Sequence, residues 1–219
     1  MQKVVLSSLT REIALRKQGY RFIAGIDEAG RGAWAGPVVA AAVILPLDRE
    51  DVLDCLTGLR DSKKLSPHQR DHFFEAVHRV AVTVSVGIAS AEVVDELNVV
   101  GATRQAMHQA VAMLHPSPDY LLLDYISLPD LRMPQESYPR AESLSLSVAA
   151  ASVVAKVTRD RLMVEFSRRY PGYAFDRHKG YGTAAHRAAL EQFGPSPIHR
   201  LSYRPVLACT GQPSRPLSR

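Results

Sequence analysis

The chain has 219 residues, of which 46% are hydrophobic and 22% are charged, a composition typical of a globular protein. Its longest apolar run, residues 38–45, is too short to span a membrane, so we expect no membrane insertion. The N-terminus lacks the pattern of a secretory signal, and the two cysteines lie far apart in the sequence. We therefore expect a cytoplasmic protein without a disulfide framework. Lys and Arg (27) outnumber Asp and Glu (22), and the net charge of +5 favours an anionic polymer as partner without identifying it.

The first predicted elements end in a pair of carboxylates. Residues 4–17 can form a short helix, and two strands follow near residues 21–27 and 37–45. Apolar residues alternate along the first strand, and Asp27 and Glu28 come where this pattern meets a glycine-rich turn with one arginine. Such a pair suggests a metal or phosphate site. On these residues alone, a strand end capped by a polar turn explains the pattern equally well.

Helices and strands alternate through the middle of the chain. Residues 66–80 read as a helix that begins with a capping serine and a proline in its first turn. The alternation over residues 82–88 predicts a half-buried strand. Residues 91–113 read as another helix, on whose apolar face Met107 and Met113 are predicted to be core residues.

The second half of the chain predicts one more strand and two helices. Residues 120–124 form a short apolar run that ends in Asp124. Small apolar residues recur at helical spacing over residues 146–157, a stripe suited to close packing on a sheet. A last helix over residues 183–193 is stopped by a Gly-Pro pair.

This order of elements implies an α/β fold with a mixed β-sheet flanked by helices. We expect a single domain over residues 1–209, with a helical C-terminal portion at about residues 165–205. Residues 210–219 are expected to be a disordered tail.

Asp124 ends its strand as Asp27 ends the first one, so the two side chains converge if these strands are neighbours. Three acids so close would repel one another without cations, and carboxylate oxygens suit hard divalent ions such as Mg²⁺ or Mn²⁺. Adjacent residues of a strand face opposite sides, so Glu28 can share the site only if the chain turns right after Asp27 or if Glu28 offers its carbonyl oxygen. A lone aspartate at a strand end is more often a turn cap.

Six blocks of sequence carry a resemblance to a known family. They are G-I-D-E-A-G-R-G at residues 25–32 with G-P-V at 36–38, D-S-K-K-L-S at 61–66, A-E-V-V-D-E-L-N-V-V-G-A-T at 91–103, L-L-L-D at 121–124, S-L-S-L-S-V-A-A-A-S-V-V-A-K-V-T-R-D at 143–160, and H-K-G-Y-G-T at 178–183. Together and in this order they resemble the type 2 ribonuclease H family, ribonuclease HII. The resemblance covers about residues 20–205 and implies a ribonuclease H-like fold.

The resemblance also implies an activity. A member of this family is an endoribonuclease that hydrolyses the RNA strand of RNA/DNA hybrids and nicks duplex DNA on the 5′ side of a single ribonucleotide, leaving a 5′-phosphate, during ribonucleotide removal in replication and repair. It implies two-metal catalysis with Mg²⁺ or Mn²⁺ held by Asp27, Glu28 and Asp124. The partners would be these duplexes, and we expect a monomer.

The family has a fourth acid, an aspartate, just before the helix that begins near residue 146. This chain has Glu142 there, so we carry the catalytic role to Glu142, whose side chain is one methylene longer. Asp160 is a rival, but it lies four residues after Lys156 on a helix, where an ordinary ion pair explains it.

The resemblance implies residues that read the substrate as well. Because the 2′-hydroxyl alone separates RNA from DNA at one nucleotide, a reader is needed, and the candidates are the backbone groups of Gly30, Arg31 and Gly32. Tyr181 matches the family tyrosine that stacks beneath the sugar, although a tyrosine between glycines is more often a packed loop residue. Phosphate contacts are expected from Lys63, Lys64 and Lys179. Asn98 and Thr103 could bind phosphate or pack their helix.

Some residues and functions stay open at this point. The spacing of His178, His186 and His199 does not match a zinc site, so we assign no zinc, and Trp34 either packs under the glycine-rich turn or lies near substrate. One alternative function is that of type 3 ribonuclease H, against which the short N-terminus argues. The other is a non-hydrolysing hybrid-binding module, if the glutamate at position 142 marks a decayed site.

Overall fold

Within residues 7–49 and 51–209, which the computed structural model describes, five strands form one mixed sheet. The strands are β1 (Ile23–Ala29), β2 (Val38–Ile44), β3 (Thr83–Ala89), β4 (Tyr120–Asp124) and β5 (Gln135–Tyr138). Their order in the sheet is β3-β2-β1-β4-β5. β1 is antiparallel to β2 and parallel to β4. β2 and β3 pair antiparallel, and β4 and β5 pair parallel. The predicted mixed sheet is therefore confirmed.

The helices flank this sheet. They are α1 (Thr10–Lys17), α2 (Asp51–Cys55), α3 (Pro67–Val80), α4 (Ala91–Ala112), α5 (Leu146–Arg169), α6 (Phe175–His178), α7 (Ala184–Phe193) and α8 (Arg204–Leu207). The first helix, predicted over residues 4–17, begins at Thr10, and residues 4–6 of that prediction lie outside the described residues. Neither α2 nor β5 was predicted. The expected disordered tail, residues 210–219, lies outside the described residues. In the described part of the chain, no helix has the length and apolar character needed to cross a bilayer.

Helix α3 starts where the sequence predicts, and its cap shows why. The Ser66 hydroxyl accepts a hydrogen bond from the backbone N–H of Gln69, and the Gln69 side chain accepts one from the backbone N–H of Ser66. This reciprocal capping box satisfies two backbone donors that would otherwise lack partners. The chain just before it, which carries Lys63, is thereby tied to a fixed helix end.

Helix α5 packs across β1 and β2 at very short range. A Cβ atom at Gly25 would lie 2.1 Å from the backbone carbonyl carbon of Ser147, so only glycine permits this approach. The predicted stripe of small residues forms the face of α5 that meets the sheet, where Ala149, Ala150 and Val153 are fully buried. The close packing brings the middle of α5 over the carboxyl end of β1.

Helix α4 covers the opposite face of the sheet and is kinked at Asn98. Asn98 has a left-handed φ of 58°, and its side-chain oxygen accepts hydrogen bonds from the N–H groups of Val100 and Gly101, so it caps the second half of the helix. Thr103 is fully buried and its hydroxyl donates to the Val99 carbonyl. The packing interpretation therefore holds for Thr103, which phosphate cannot reach.

The two methionines of α4 have different environments. Met107 is fully buried, as predicted, whereas Met113 is 61% exposed, so its prediction as a core residue is wrong. Met113 is the C-cap residue of α4. The apolar periodicity stops there because Leu114, already outside the helix, takes the buried position.

Two fully buried arginines hold the turn that follows β1. Arg200 donates to the carbonyl oxygens of Gly30, Arg31 and Gly36. Arg159 donates to those of Ala35, Pro37 and Lys179. Neither forms an ion pair with any carboxylate of the described residues, and burial lowers the pKa of both. Backbone carbonyl oxygens, with the Tyr203 hydroxyl added at Arg200, accept their hydrogen bonds, so the two arginines fix the turn to helix α5 and to the C-terminal segment.

His178, at the start of the segment 178–183, meets two further histidines, His186 and His199. His186 Nε2 lies 2.9 Å from His199 Nε2, and the His178 and His186 rings stack at 4.4 Å. His186 Nδ1 faces the Tyr181 carbonyl and His199 accepts from the Ser196 N–H. These partners assign the Nδ1–H tautomer to His186 and the Nε2–H tautomer to His199, so both rings are neutral. Burial lowers the pKa of each of these two to about 4.

Arg200→Met should lower the free energy of unfolding by about 2–4 kcal/mol, because buried carbonyl oxygens lose their donors. Arg200→Lys should also destabilise, since an ammonium cannot reproduce the planar fork. Urea unfolding measures both. Arg204→Met, at an exposed arginine of α8, is the matched control and should change stability by less than about 0.5 kcal/mol. Equal losses at the two positions would contradict the bracing role.

The histidine cluster should make stability depend on pH. The unfolded chain has ordinary histidines, so between pH 6.5 and about 4 it binds more protons than the folded chain, and stability falls as the pH drops through that window. His199→Asn keeps an acceptor for Ser196 but cannot titrate, so its urea midpoint should fall less between pH 7 and pH 4.5 than that of the wild type. Identical pH dependence in both proteins would exclude this linkage.

Candidate active site

The acids that the sequence singles out meet at one edge of the sheet. β1 and β4 run parallel and pair only as far as Ile26 opposite Leu123, so Asp27, Glu28 and Asp124 follow directly beyond the last paired residues. The chain does not turn after Asp27 as one interpretation required; β1 continues to Ala29 and the turn comes at Gly30. Beyond Ile26, β1 pairs with β2 alone, so Asp27 and Glu28 lie where the sheet is open on the side of β4.

Asp27 is held in place from two sides. It is only 6% exposed, its Oδ1 accepts the backbone N–H of Glu28 at 2.7 Å, and the nearby Ser152 hydroxyl of α5 favours its charged form, which acts to lower its pKa. Ser152 in turn lies 2.9 Å from the Ser62 hydroxyl. Burial, then the charges of Glu28 and Asp124, raise the pKa of Asp27 well above its usual value.

Glu28 pairs with the arginine of the turn. Arg31 Nη1 lies 3.1 Å from Glu28 Oε1, while Glu28 Oε2 is buried without a hydrogen-bond partner in the described residues. Burial raises the pKa of Glu28, and the charge of Arg31 opposes this rise. One oxygen of Glu28 is therefore balanced by a cation and the other is not.

Asp124 and Glu142 stand next to each other beside the same edge. Asp124 Oδ1 accepts the backbone N–H of Ala141 at 3.0 Å. Glu142 lies in a short 3-10 helix (Ala141–Ser143) and is 5% exposed, and its Oε2 is buried and unpartnered among the described residues. Burial and the charge of Asp124 raise the pKa of Glu142. The glutamate at the position of the family aspartate thus belongs electrostatically to the cluster.

A cleft of about 580 Å³ opens over two of the acids, Asp27 and Glu28. It is lined by Asp27, Glu28, Ala29, Gly30, Arg31, Gly32, Ser62, Lys63, Ser152, Lys156 and Tyr181. Burial acts against the charged form of Lys63, yet its pKa is raised because nearby carboxylates outweigh burial, namely those of Asp61, Asp27, Glu142 and Asp124. Lys63 is therefore the cation that faces the whole cluster.

The turn at Gly30–Gly32 is shaped by the buried arginines. Gly30 has a φ of 98°, and a Cβ atom there would lie 2.0 Å from Arg159 Nε, so no other residue fits. Arg200 binds the carbonyl oxygens of Gly30 and Arg31 from below. No acceptor in the described part of the chain pairs with the backbone N–H groups of Arg31 and Gly32. These donors are free to bind a ligand.

Two of the other predicted substrate residues, Tyr181 and Lys179, line a second cleft, and Lys64 does not. Tyr181 is 37% exposed, lines both clefts and stands 5.7 Å from Lys156 Nζ and 5.3 Å from the Arg159 guanidinium. Lys179 lines the second cleft, and its ammonium donates to the Asp176 carbonyl. Lys64 is exposed but lines neither cleft, so the structure does not bring it to the site.

Two residues left open by the sequence receive structural roles. Trp34 packs against Gly182 and the His186 ring, so it supports the segment that carries Tyr181. Asp160 forms the expected ion pair with Lys156 at 2.7 Å, which confirms that interpretation. Sequence reasoning missed Ser152 and Lys156 as site residues, although their spacing of four on α5 places both on the face that meets the acids.

The acid cluster suits a hard divalent cation in its chemistry. Its donors are carboxylate oxygens only, and two of them are buried without a partner. As the side chains stand, no group of three or more His, Cys, Asp or Glu among the described residues is arranged to hold a metal ion.

The chain was compared with known proteins. The family model described as Ribonuclease HII matches residues 24–206. A ribonuclease HII of Geotalea uraniireducens is 53% identical over 200 residues, covering 91% of this chain and 90% of that protein. One of Geobacter sulfurreducens is 52% identical over 196 residues, covering 90% and 88%. These similarities extend over nearly the whole of each protein.

Solved structures share the fold. The ribonuclease H2 from Pyrococcus horikoshii OT3 superposes with a TM-score of 0.72 at 24% identity, covering 85% of this chain and 96% of that one. Bst-RNase HIII, in complex with Mn²⁺, superposes with a TM-score of 0.66 at 19% identity, covering 90% and 72%. The relatives share about half of their residues with this chain along most of its length, and the fold, in which the acids meet at strand ends, is ribonuclease H-like. The chain therefore belongs to the ribonuclease HII family of ribonuclease H enzymes, which are hydrolases that act as nucleases.

Proposed function

We propose that this enzyme cleaves the RNA strand of RNA/DNA hybrids and nicks duplex DNA on the 5′ side of a single ribonucleotide, leaving a 5′-phosphate. The observation that carries the proposal is the convergence of four acids whose charges act on one another, two of which, Asp27 and Glu28, line a cleft with cations and unpaired backbone N–H groups at its rim. Such an enzyme would serve ribonucleotide removal in replication and repair, as a cytoplasmic monomer with one catalytic domain over residues 1–209.

The acids would hold divalent metal, with Mg²⁺ and Mn²⁺ as the candidates. Asp27, Glu28 and Asp124 are the proposed ligands, and Glu142 assists beside them. Bound there, the metal would supply Lewis-acid activation of a water and stabilisation of the leaving 3′ oxygen. The protein's own part is positioning, because the backbone N–H of Glu28 holds Asp27 Oδ1 and the backbone N–H of Ala141 holds Asp124 Oδ1.

The phosphates of the substrate meet lysines at the cleft. Lys63 and Lys156 line it beside the acids, so they would bind the phosphodiester that is cut. Lys179, in the second cleft, would contact the backbone further along the strand. Each of these contacts releases counterions, so affinity should fall steeply with salt.

The turn over the cleft would recognise the ribose. Arg200 occupies the carbonyl oxygens of Gly30 and Arg31 from the protein side, which leaves the N–H groups of Arg31 and Gly32 as donors for a 2′-hydroxyl. The Tyr181 ring, exposed and backed by two cations, would stack beneath the adjoining sugar. Together they would distinguish a ribonucleotide from its DNA neighbours.

The first test is nicking of a labelled DNA duplex with one ribonucleotide, in Mg²⁺, in Mn²⁺ and with a chelator. A single nick that requires metal separates an enzyme from a hybrid-binding module.

Asp27→Asn and Asp124→Asn should abolish the nick. Without divalent metal they should keep or slightly raise the free energy of urea unfolding, because each removes a like charge from the cluster. Asp54→Asn, at an exposed aspartate of α2, is the control and should nick normally. Full activity in either cluster variant would remove that residue from the mechanism.

Glu142 should affect the choice of metal. Its carboxylate reaches about 1.5 Å further than that of an aspartate, and misplacement on this scale can cost up to about a hundredfold in rate. Since Mg²⁺ demands near-ideal octahedral geometry, we expect the wild type to prefer Mn²⁺ more strongly than Glu142→Asp does. Glu142→Gln should slow turnover more than Glu142→Asp. Nicking rates that match the wild type in both variants and both metals would make Glu142 a bystander.

A further inference from the structure

An exposed aromatic ring stands directly beside the acid cluster. Tyr125 follows Asp124 at the end of β4 and is 63% exposed, whereas the apolar residues of the strand before it are buried. It lines neither of the two clefts. None of the roles assigned so far uses this ring.

The backbone at Tyr125 is strained. Its φ is 60°, and the N–H of Ile126 donates across it to the Asp124 carbonyl at 2.6 Å, which closes a γ-turn. A γ-turn with a positive central φ is rare, and a bulky residue in that region is an outlier. The turn is anchored because the Tyr125 N–H donates to the Tyr138 carbonyl on β5. Glycine would adopt this conformation without strain.

The ring rests on the arginine of the glycine-rich turn. The Arg31 guanidinium lies 5.6 Å from the Tyr125 ring centroid, and the same side chain pairs with Glu28. Tyr181 is supported in the same manner by Lys156 and Arg159. The acids are thus accompanied by two exposed aromatic rings, each of them backed by a cation. Strain of this kind clusters at functional sites, and here it places an aromatic surface in solvent next to Asp124.

We propose that Tyr125 is a second aromatic contact for the nucleic acid and that its ring stacks on a nucleobase next to the cut site. The inference rests on the proposed function, because it requires a nucleic-acid substrate at the acid cluster. Every base offers a π-face, so this contact would add affinity for the duplex without selecting a sequence. The chemistry of the cut would not depend on it.

The decisive variant is Tyr125→Gly, which removes the ring and relieves the strained φ. It should be at least as stable to urea as the wild type. It should weaken binding of a fluorescent DNA duplex with one ribonucleotide about 5- to 150-fold, as loss of one base-stacking contact does. In nicking kinetics with Mn²⁺, KM should rise and kcat should stay near the wild-type value. Tyr125→Phe should behave as the wild type. Met113→Ala, which truncates a similarly exposed side chain at the end of α4, should bind normally.

Two further readouts separate stacking from an indirect effect through Arg31. The slope of log Kd against log salt should be unchanged in Tyr125→Gly, because no charged contact is lost, whereas Lys63→Gln, which removes a proposed phosphate contact, should reduce it by about 1. A 2-aminopurine base placed next to the ribonucleotide should change its fluorescence on binding to the wild type and to Tyr125→Phe. That change should be absent with Tyr125→Gly.

The outcomes distinguish this inference from the proposed function. If the wild type neither binds nor nicks the duplex, the proposed function fails, and this inference with it. If the wild type does both while Tyr125→Gly matches it in Kd and KM, Tyr125 is no substrate contact and the proposed function stands. If Tyr125→Gly and Tyr125→Phe lose binding alike and both unfold more easily, Tyr125 is a structural residue and the inference is overturned.

Discussion

The site depends on one buried interaction, the binding of backbone carbonyl oxygens by Arg200. A guanidinium without a carboxylate partner is costly to bury, and here carbonyl oxygens of the turn after β1 and the Tyr203 hydroxyl compensate it. Because the acceptors come from a turn and the donor from the C-terminal segment, the fold can close only when the two meet. The shape of the glycine-rich turn is therefore fixed before any ligand arrives, and its N–H groups are aimed outward as a consequence.

Burial of the acids is likewise unfavourable, and neighbouring polar and charged groups offset part of it. Burial and mutual repulsion raise the pKa values of Asp27, Glu28 and Glu142, so the cluster destabilises the ionised fold. The structure offsets this with short-range donors, among them the Ser152 hydroxyl, and with two cations at the rim, Arg31 and Lys63. The acid cluster lowers the stability of the fold at the place where a nuclease needs negative charge. This arrangement agrees with membership of the ribonuclease HII family.

Local patterns predicted most of the fold and the meeting of the acids. Strand alternation, the capping serine at residue 66 and the small-residue stripe of α5 act over a few residues, and Asp27 and Asp124 converge because their strands are parallel neighbours. β5 was missed because a short polar edge strand has no apolar alternation. The bracing by the buried arginines could not be predicted, since it joins segments far apart in the chain. The histidine cluster could not be predicted either, since it depends on how the segment around α7 folds back on itself. Met113 was misplaced because periodicity does not show where a helix ends.

Among the described residues neither Arg159 nor Arg200 forms an ion pair, and this has an electrostatic consequence. Burial lowers the pKa of Arg159 only to about 10, so it keeps its charge at neutral pH, and Arg200 carries a second charge beneath the same turn. Mobile ions screen buried charges much less than surface ones. The two guanidiniums therefore form a permanent positive potential behind the cleft, which partly cancels the field of the acids where a polyanion must approach. Part of the electrostatic attraction for a duplex should therefore remain at ionic strengths that screen the charges of the surface lysines.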